Sequence, residues 1–350
     1  EGYPRSLPPH TARDVRTMKI LLTGDWHVGE SRTLTGYLTR QKLMIDRIFE
    51  VAAEHTDGVG IVGGDVFHRP DLEEQERNML LGRLLHYDKA GVRIIMMSGN
   101  HDVIDRKRTA LGFIRVLVTK KALRNTTLCE TAPCVVEHGG VAFLMVPWGG
   151  YPANASPTLL RRWAATAKKE ADVVVATVHE QLVGRPTDLG WAARSGPDIN
   201  EKLPVDFWSA HHIHKAQPIA ENGWLVGSPM QHRFDELQPK GVVLLDTDRC
   251  DEAEFVELEG IKPLVTLTDE DALDPDLDAY VRLVTTKRRK KVPKNVVKVV
   301  QDTEVVAVDR DALLSDPLAG LEDYFRQKLP EESIDRAMVI ARDIHARAGA

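Results

Sequence analysis

Five short clusters of His, Asp and Asn constrain this 350-residue chain more than any other feature, because each stands where an apolar run of strand length gives way to a loop. Gly24-Asp25-Trp26-His27 follows the run 19–23. Gly63-Gly64-Asp65-Val66-Phe67-His68-Arg69 follows 59–63. Gly99-Asn100-His101-Asp102 follows 92–98, His179 follows 173–178, and His211-His212-Ile213-His214 follows 207–210. Ligands of open α/β sheets gather at the carboxyl ends of strands, and every cluster lies at such an end.

Helical patterns alternate with these runs. Ile45, Ile48, Phe49 and Ala52 repeat at i, i+3, i+4 and i+7 within a helix expected over 38–55. A second helix is expected over 71–87. A third begins after Ser156, with Pro157 at its first position, and runs to about Glu170. Further strands are expected over 141–147, 224–226, 241–246 and 254–258. The alternation implies an α/β fold. Composition shifts near Gly260-Ile261-Lys262-Pro263. An acidic stretch, 269–278, is followed by the basic run Lys287-Arg288-Arg289-Lys290-Lys291, a strand over 296–308 and two helical patterns, 317–328 and 331–348. The expected division is therefore a main domain, 18–262, a small domain, 263–316, and C-terminal helices, 317–350. Residues 1–17 are rich in Pro, Arg and His and lack an apolar core. They are read as an arm apart from the fold, disordered or left over from expression, and not as a secretory signal.

No run is apolar for a membrane-spanning length. Three cysteines, Cys129, Cys134 and Cys250, are too few and oddly numbered for a disulfide framework, so they are read as ordinary thiols of a cytoplasmic protein. The net charge of −6 does not suggest nucleic-acid binding, although a local basic patch can still hold phosphate.

Taken singly, each cluster has an ordinary reading. Asp25-x-His27 also suits a turn, Asp65 a helix cap, Asn100 an Asn-rich turn, and a lone His179 a structural role. Taken together they supply mixed nitrogen and oxygen ligands without thiolate, a set that suits Mn, Fe or Zn better than Mg or Ca. A carboxylate at Asp65 can bridge two cations. His101, beside the Asn100 ligand, is available as an acid. Alternating histidines in 211–214 point to one side of an extended chain. Two bridged cations sharing a hydroxide are an apparatus for in-line attack on phosphorus.

The ordered set Asp25-x-His27, Gly64-Asp65, Gly99-Asn100-His101-Asp102, His179 and His212-x-His214 resembles the calcineurin-like metallophosphoesterases. Gly64-Asp65-Val66-Phe67-His68, His211-His212-Ile213-His214-Lys215, Gly227-Ser228-Pro229-Met230-Gln231 and Glu236 resemble the SbcD branch, whose eukaryotic and archaeal counterpart is the meiotic recombination eleven nuclease. The likeness covers about residues 18–260. It implies a β-sandwich flanked by helices with a small α+β capping domain. It implies that Asp25, His27, Asp65 and His214 hold one metal and Asp65, Asn100, His179 and His212 the other, manganese being the usual ion. His101 would protonate the leaving sugar oxygen, steered by Asp102, and His68 would meet the substrate phosphate or order the site. The implied substrate is DNA in double-strand-break processing, and the implied partners are an SbcC-type (Rad fifty-like) ATPase and a second copy of the chain. A small-molecule phosphodiesterase or a phosphoprotein phosphatase is the alternative, since the same metals serve that chemistry. The run 287–291 then reads either as a phosphate track or as a solvated hairpin loop. The last helix reads as a partner-docking element or as packing on its own domain. One departure stands out: His211 occupies a place where the family carries Gly, and it is read as strained, exposed or a substrate contact.

Overall fold

The computed structural model describes residues 18–149, 157–185, 192–194, 196–197, 203–268, 273–286 and 292–301, with Leu318, Glu322, Arg326, Ile334, Met338, Val339, Ala341 and Arg342 beyond them. The chain forms two compact units, 1–264 with 278–280, and 265–277 with 281–350.

The first unit opens with β1 (Lys19–Thr23), α1 (Tyr37–His55), β2 (Val59–Val62), α2 (Glu74–Lys89) and β3 (Arg93–Met97). A two-stranded hairpin, β4 (Val103–Asp105) and β5 (Arg108–Thr109), precedes α3 (Gly112–Thr119). Then come β6 (Thr126–Cys129), β7 (Cys134–His138), β8 (Val141–Val146), α4 (Pro157–Glu170), β9 (Val173–His179) and β10 (Phe207–His211). The unit continues with β11 (Gln217–Ala220), β12 (Gly223–Leu225), β13 (Gly241–Asp246) and β14 (Glu254–Glu257).

These strands form two six-stranded sheets, ordered β14-β13-β1-β2-β3-β6 and β11-β12-β10-β9-β8-β7. Side-chain alternation along a strand explains the layering. Ile20 and Leu22 of β1, Ile61 of β2 and Ile95 of β3 meet Phe143, Met145, Val175 and Phe207 of the other sheet in one buried core. The intervening Leu21, Val62, Ile94 and Met96 face outward and pack with Met44, Ile45, Ile48 and Phe49 of α1. On the second sheet Ala142, Leu144 and Val146 likewise cover Leu160, Ala164 and Ala167 of α4. Strands buried on both faces read as continuous apolar runs, which is why β1, β2, β3, β8 and β9 are legible from sequence. The result is the expected α/β sandwich flanked by helices.

Three differences from expectation have local causes. Helix α2 starts at Glu74, because Glu73 and Glu76 form a reciprocal cap in which the Glu73 N–H donates to Glu76 Oε2 at 3.0 Å. The short elements β4, β5, α3, β6, β7 and β11 are additional to those expected; most are too brief to show a period. Cys129 and Cys134, read as separate thiols, are joined as a disulfide. They lie at the end of β6 and the start of β7, the edge strands of different sheets, with Cα atoms 6.3 Å apart, within normal bridging distance. Cys250 is a free thiol.

The second unit holds β15 (Leu264–Leu267), β16 (Tyr280–Thr285) and β17 (Val296–Gln301) in one sheet, although the ends of β15 and β16 touch the division. Val281, Leu283 and Thr285 alternate as the buried side of β16. β16 and β17 pair in parallel, so the strands flanking Lys287–Lys291 are not the arms of a hairpin. Residues 287–291 themselves lie outside the described residues, as do 1–17 and most of 302–350. In the last helical segment Ile334, Met338 and Ala341 are buried while Val339 is exposed, the arrangement of one apolar face. No helix among the described residues is long and apolar enough to cross a membrane.

Asp88, buried near the end of α2, accepts hydrogen bonds from the N–H groups of Arg124 (3.0 Å) and Asn125 (2.8 Å) and from the Thr126 hydroxyl (3.1 Å). It thereby seats β6 against β3. Asp88→Ala should lower stability by about 3 kcal/mol, since unsatisfied buried donors each cost about 1–3 kcal/mol. Urea unfolding of the variant against the native protein measures the loss.

Candidate metal centre

The sequence of the first two strands forces their polar ends together. Beyond β1 and β2 the parallel ladder continues through the loops: Gly63 N–H donates to Thr23 O (2.7 Å), Asp25 N–H to Gly64 O (2.9 Å) and His27 N–H to Asp65 O (2.9 Å). Trp26 is buried and its indole N–H donates to the Thr23 hydroxyl at 3.0 Å, which fixes the loop between Asp25 and His27. Asp25 (φ 51°), His27 (φ 45°), Asp65 (φ 48°) and His212 (φ 85°) all take left-handed backbone. Such residues cost on the order of 1–3 kcal/mol each and persist where surrounding structure holds them. Gly99 permits a close approach, since a Cβ there would lie 2.1 Å from Asp65 Oδ1.

Three groups of side chains come within ligating distance among the described residues; one is His27, His68 and His101, and the other two match the expected ligands. Asp25, His27 and His214 each offer an atom within 4.8 Å of the others, and so do Asp65, His179 and His212. His27 Nε2 stands 3.1 Å from His214 Nε2 and 3.6 Å from Asp65 Oδ2. His179 Nε2 stands 3.3 Å from Asp65 Oδ2 and 3.2 Å from Asn100 Oδ1, and His212 Nδ1 lies 2.8 Å from that same amide oxygen. Asp65 is therefore between the groups, where a bridging carboxylate belongs. All seven residues read from sequence as ligands converge.

Ring tautomers follow from the partners. His179 Nδ1–H donates to Gly63 O at 2.7 Å, and His214 Nδ1–H donates to Glu236 Oε1 at 3.0 Å. When neutral, both rings turn an Nε2 lone pair inward. His27 Nε2 faces the His214 Nε2 lone pair at 3.1 Å, so a hydrogen on His27 Nε2 bridges the two rings, and a cation held by both would take that hydrogen's place. Orientation of ligating imidazoles by carbonyl and carboxylate partners is the usual support of metal sites. The donor chemistry fits divalent ions.

Electrostatics agree. Burial, reinforced by the neighbouring His232, drives the His27 pKa well below its ordinary value, which keeps the ring neutral. Burial opposes protonation of His179, but the Asp65 and Asp25 carboxylates outweigh it and push that ring up to about 10. Burial would raise Asp65, yet His179 and His27 hold it below the usual carboxylate range. Glu236 behaves similarly: His214 and Lys240, the latter 2.9 Å away, overcome burial and keep it ionised. Without metal the fold thus places a proton on His179.

The catalytic expectations fare differently. His101 lies beside the ligands, its backbone N–H on Asp65 Oδ1 (2.8 Å) and its Nδ1–H on His68 O (2.8 Å). That leaves Nε2 as the atom able to give or take a proton. Asp102 shows no contact that would steer the His101 ring. Its carboxylate accepts the N–H groups of Val66 (3.2 Å), Phe67 (2.9 Å) and Gly99 (2.9 Å), because the turn buries three donors around it. Burial and the Asp65 charge push Asp102 up to about 7. The steering comes instead from the His68 carbonyl. The His68 ring stacks on His101 at 5.3 Å and touches the Glu30 carboxylate.

Several participants have no local signature in the sequence. His232 donates Nε2–H to Asp25 O at 2.9 Å. Trp148 lies over His212 at 5.2 Å. Glu30 and Ser209 are equally silent. Glu236 belongs to a segment marked by likeness, but its role as orienter of His214 requires the fold.

Comparison with known proteins settles the family. A profile described as Calcineurin-like phosphoesterase matches residues 18–216, more than half of the chain. The chain belongs to the calcineurin-like phosphoesterases. The SbcD subunit of the Bacillus subtilis (strain 168) nuclease SbcCD is 27% identical over 288 residues, covering 71% of each chain. Its Escherichia coli (strain K12) namesake is 23% identical over 269 residues, 69% of this chain and 67% of that one. Among solved structures, Pseudomonas putida nuclease MPE aligns at 18% identity over 50% of this chain and 70% of that one, a distant match with a TM-score of 0.27.

Because ligation needs neutral imidazole, a metal held through His179 in this calcineurin-like phosphoesterase would displace that ring's proton. At pH 8 the titration of Mn into metal-free protein should release about one proton through this group. Calorimetry in buffers of different ionisation heat measures it, and His179→Asn should abolish that release.

Proposed function

We propose that the chain is a metal-dependent DNA nuclease subunit, hydrolysing DNA phosphodiesters as part of a double-strand-break processing complex. The observation that carries the chemistry is the convergence of Asp25, His27, Asp65, Asn100, His179, His212 and His214 with His101 alongside. The likeness to SbcD nuclease subunits supports the substrate. In this reading Asp25, His27, Asp65 and His214 hold one divalent ion and Asp65, Asn100, His179 and His212 the other, with manganese as the ion. When bound, the two ions supply Lewis acidity at phosphorus and activate the attacking water. His101 delivers a proton from Nε2 to the leaving sugar oxygen, with its ring held by the His68 carbonyl. Glu236 and Lys240 keep His214 turned inward.

The structure supplies one further reason for a polymeric substrate. The β4–β5 hairpin follows His101 directly and exposes Ile104, Arg106, Lys107 and Arg108. Arg108 pairs with Asp105 at 2.7 Å, while Arg106 and Lys107 have no ion-pair partner among the described residues. Two such cations on the hairpin that follows His101 suit a phosphate backbone. The basic run Lys287–Lys291 belongs to the same proposal as a second phosphate contact. The proposed partners remain an SbcC-type ATPase and a second copy of the chain, in the cytoplasm.

The decisive assay gives the protein Mn and offers linear DNA or bis-p-nitrophenyl phosphate, with and without an SbcC-type ATPase. Both substrates should be cleaved. Turnover of the small ester with none of DNA, even beside the ATPase, would show a small-molecule phosphodiesterase instead. His101→Ala should retain both Mn ions and lose about 10²–10⁴-fold in turnover. Arg106→Ala with Lys107→Ala should weaken DNA binding and reduce its salt slope by about two, while the small ester is hydrolysed at the native rate.

A further inference from the structure

The residue that departs from the family pattern occupies a specific place. His211 ends β10 and is fully buried, so it is neither exposed nor placed to touch substrate. Its backbone is unstrained; the left-handed residue is His212. The ring fills a space that two glycines leave open. A Cβ on Gly63 would lie 2.1 Å from His211 Cδ2, and one on Gly24 would lie 2.4 Å from its Nδ1. Any side chain at either position would collide with it. Gly24 and Gly63 belong to the loops that carry Asp25 and Asp65, so the ring lies immediately behind the metal centre.

Its two nitrogens have distinct neighbours. Nε2 lies 3.0 Å from the hydroxyl of buried Ser209, whereas Nδ1 makes no hydrogen bond among the described residues and faces Asp25 Oδ2 at 3.5 Å, an ion-pair distance. A carboxylate only accepts, so the nitrogen facing it carries the hydrogen. Nε2 is then an acceptor, and the Ser209 hydroxyl donates to it. The direction runs from Ser209 to His211 to Asp25. On its other side Asp25 receives the His212 N–H at Oδ1 (3.1 Å), and its carbonyl receives His232 Nε2–H (2.9 Å).

We propose that His211, with its tautomer set by Ser209, is a positioning residue that orients the Asp25 carboxylate for metal. The inference rests on the two-metal reading of the site. It assigns His211 a contact with a ligand rather than with substrate or metal. Partners of this kind change metal affinity by about 10–100-fold when removed.

The test is a Mn binding isotherm, followed by the paramagnetic signal of free Mn, on the full chain. His211→Leu keeps the bulk of the ring and removes the N–H; one of the two ions should bind about 10–100-fold more weakly. His211→Asn, whose amide N–H takes the place of Nδ1–H, should recover most of that loss. A role in packing alone predicts the reverse order, because Leu fills the space better. Should the Leu variant fail to fold, Ser209→Ala removes the donor that sets the tautomer and should weaken the same ion. Native affinity for both ions in His211→Leu, or in Ser209→Ala, overturns the positioning role and leaves the two-metal site standing. A native protein that takes up no Mn overturns the site itself, and His211's role with it.

Discussion

The Asp65 carboxylate is the point on which the rest of the centre depends. Its Oδ1 accepts the His101 N–H, and its Oδ2 stands within 3.6 Å of His27 Nε2 and 3.3 Å of His179 Nε2. Those contacts join loops of β1, β2 and β3 in one sheet to β9 in the other. A buried carboxylate is costly unless positive charge or donors surround it. Here imidazoles and a backbone N–H do so, and cations are the natural complement. The sandwich is the scaffold that brings these parts from two sheets to one edge.

Around that hub the support is layered by chemistry. Backbone groups hold the inner rings: Gly63 O orients His179, and His68 O orients His101. Buried ionic groups stand farther out, with Lys240 and Glu236 behind His214. The strained conformations of Asp25, His27, Asp65 and His212 are maintained by this network and by the rigid strands from which the loops emerge. Stability is given up locally where the ligands must point inward, as in other functional sites.

Much of this is legible in the chain alone. Strands buried on both faces announce themselves as apolar runs, and β1, β2, β3, β8, β9 and β10 do so. The helix α1 shows its period through Ile45, Ile48, Phe49 and Ala52. Short edge elements such as β6 and β7 carry no such pattern, and their meeting, which pairs Cys129 with Cys134, depends on how the sheets stack. Asp102 departs from expectation for a related reason. The family resemblance implies that Asp102 steers the His101 ring, whereas the tight turn aims its oxygens at three backbone donors.

By itself the amino-acid sequence determined which residue types end each strand, and so the identity of the candidate ligands, because hydrophobic periodicity and chain order are local properties. The tertiary structure alone decided how those side chains are oriented. Glu236, His232, Ser209 and the His68 carbonyl act across distances in the chain that no local pattern records, since hydrogen bonds form between neighbours in space. His211 shows the division most clearly. Its sequence position marked it only as unusual, while its placement between Gly24 and Gly63 and against Asp25 required two sheets packed face to face.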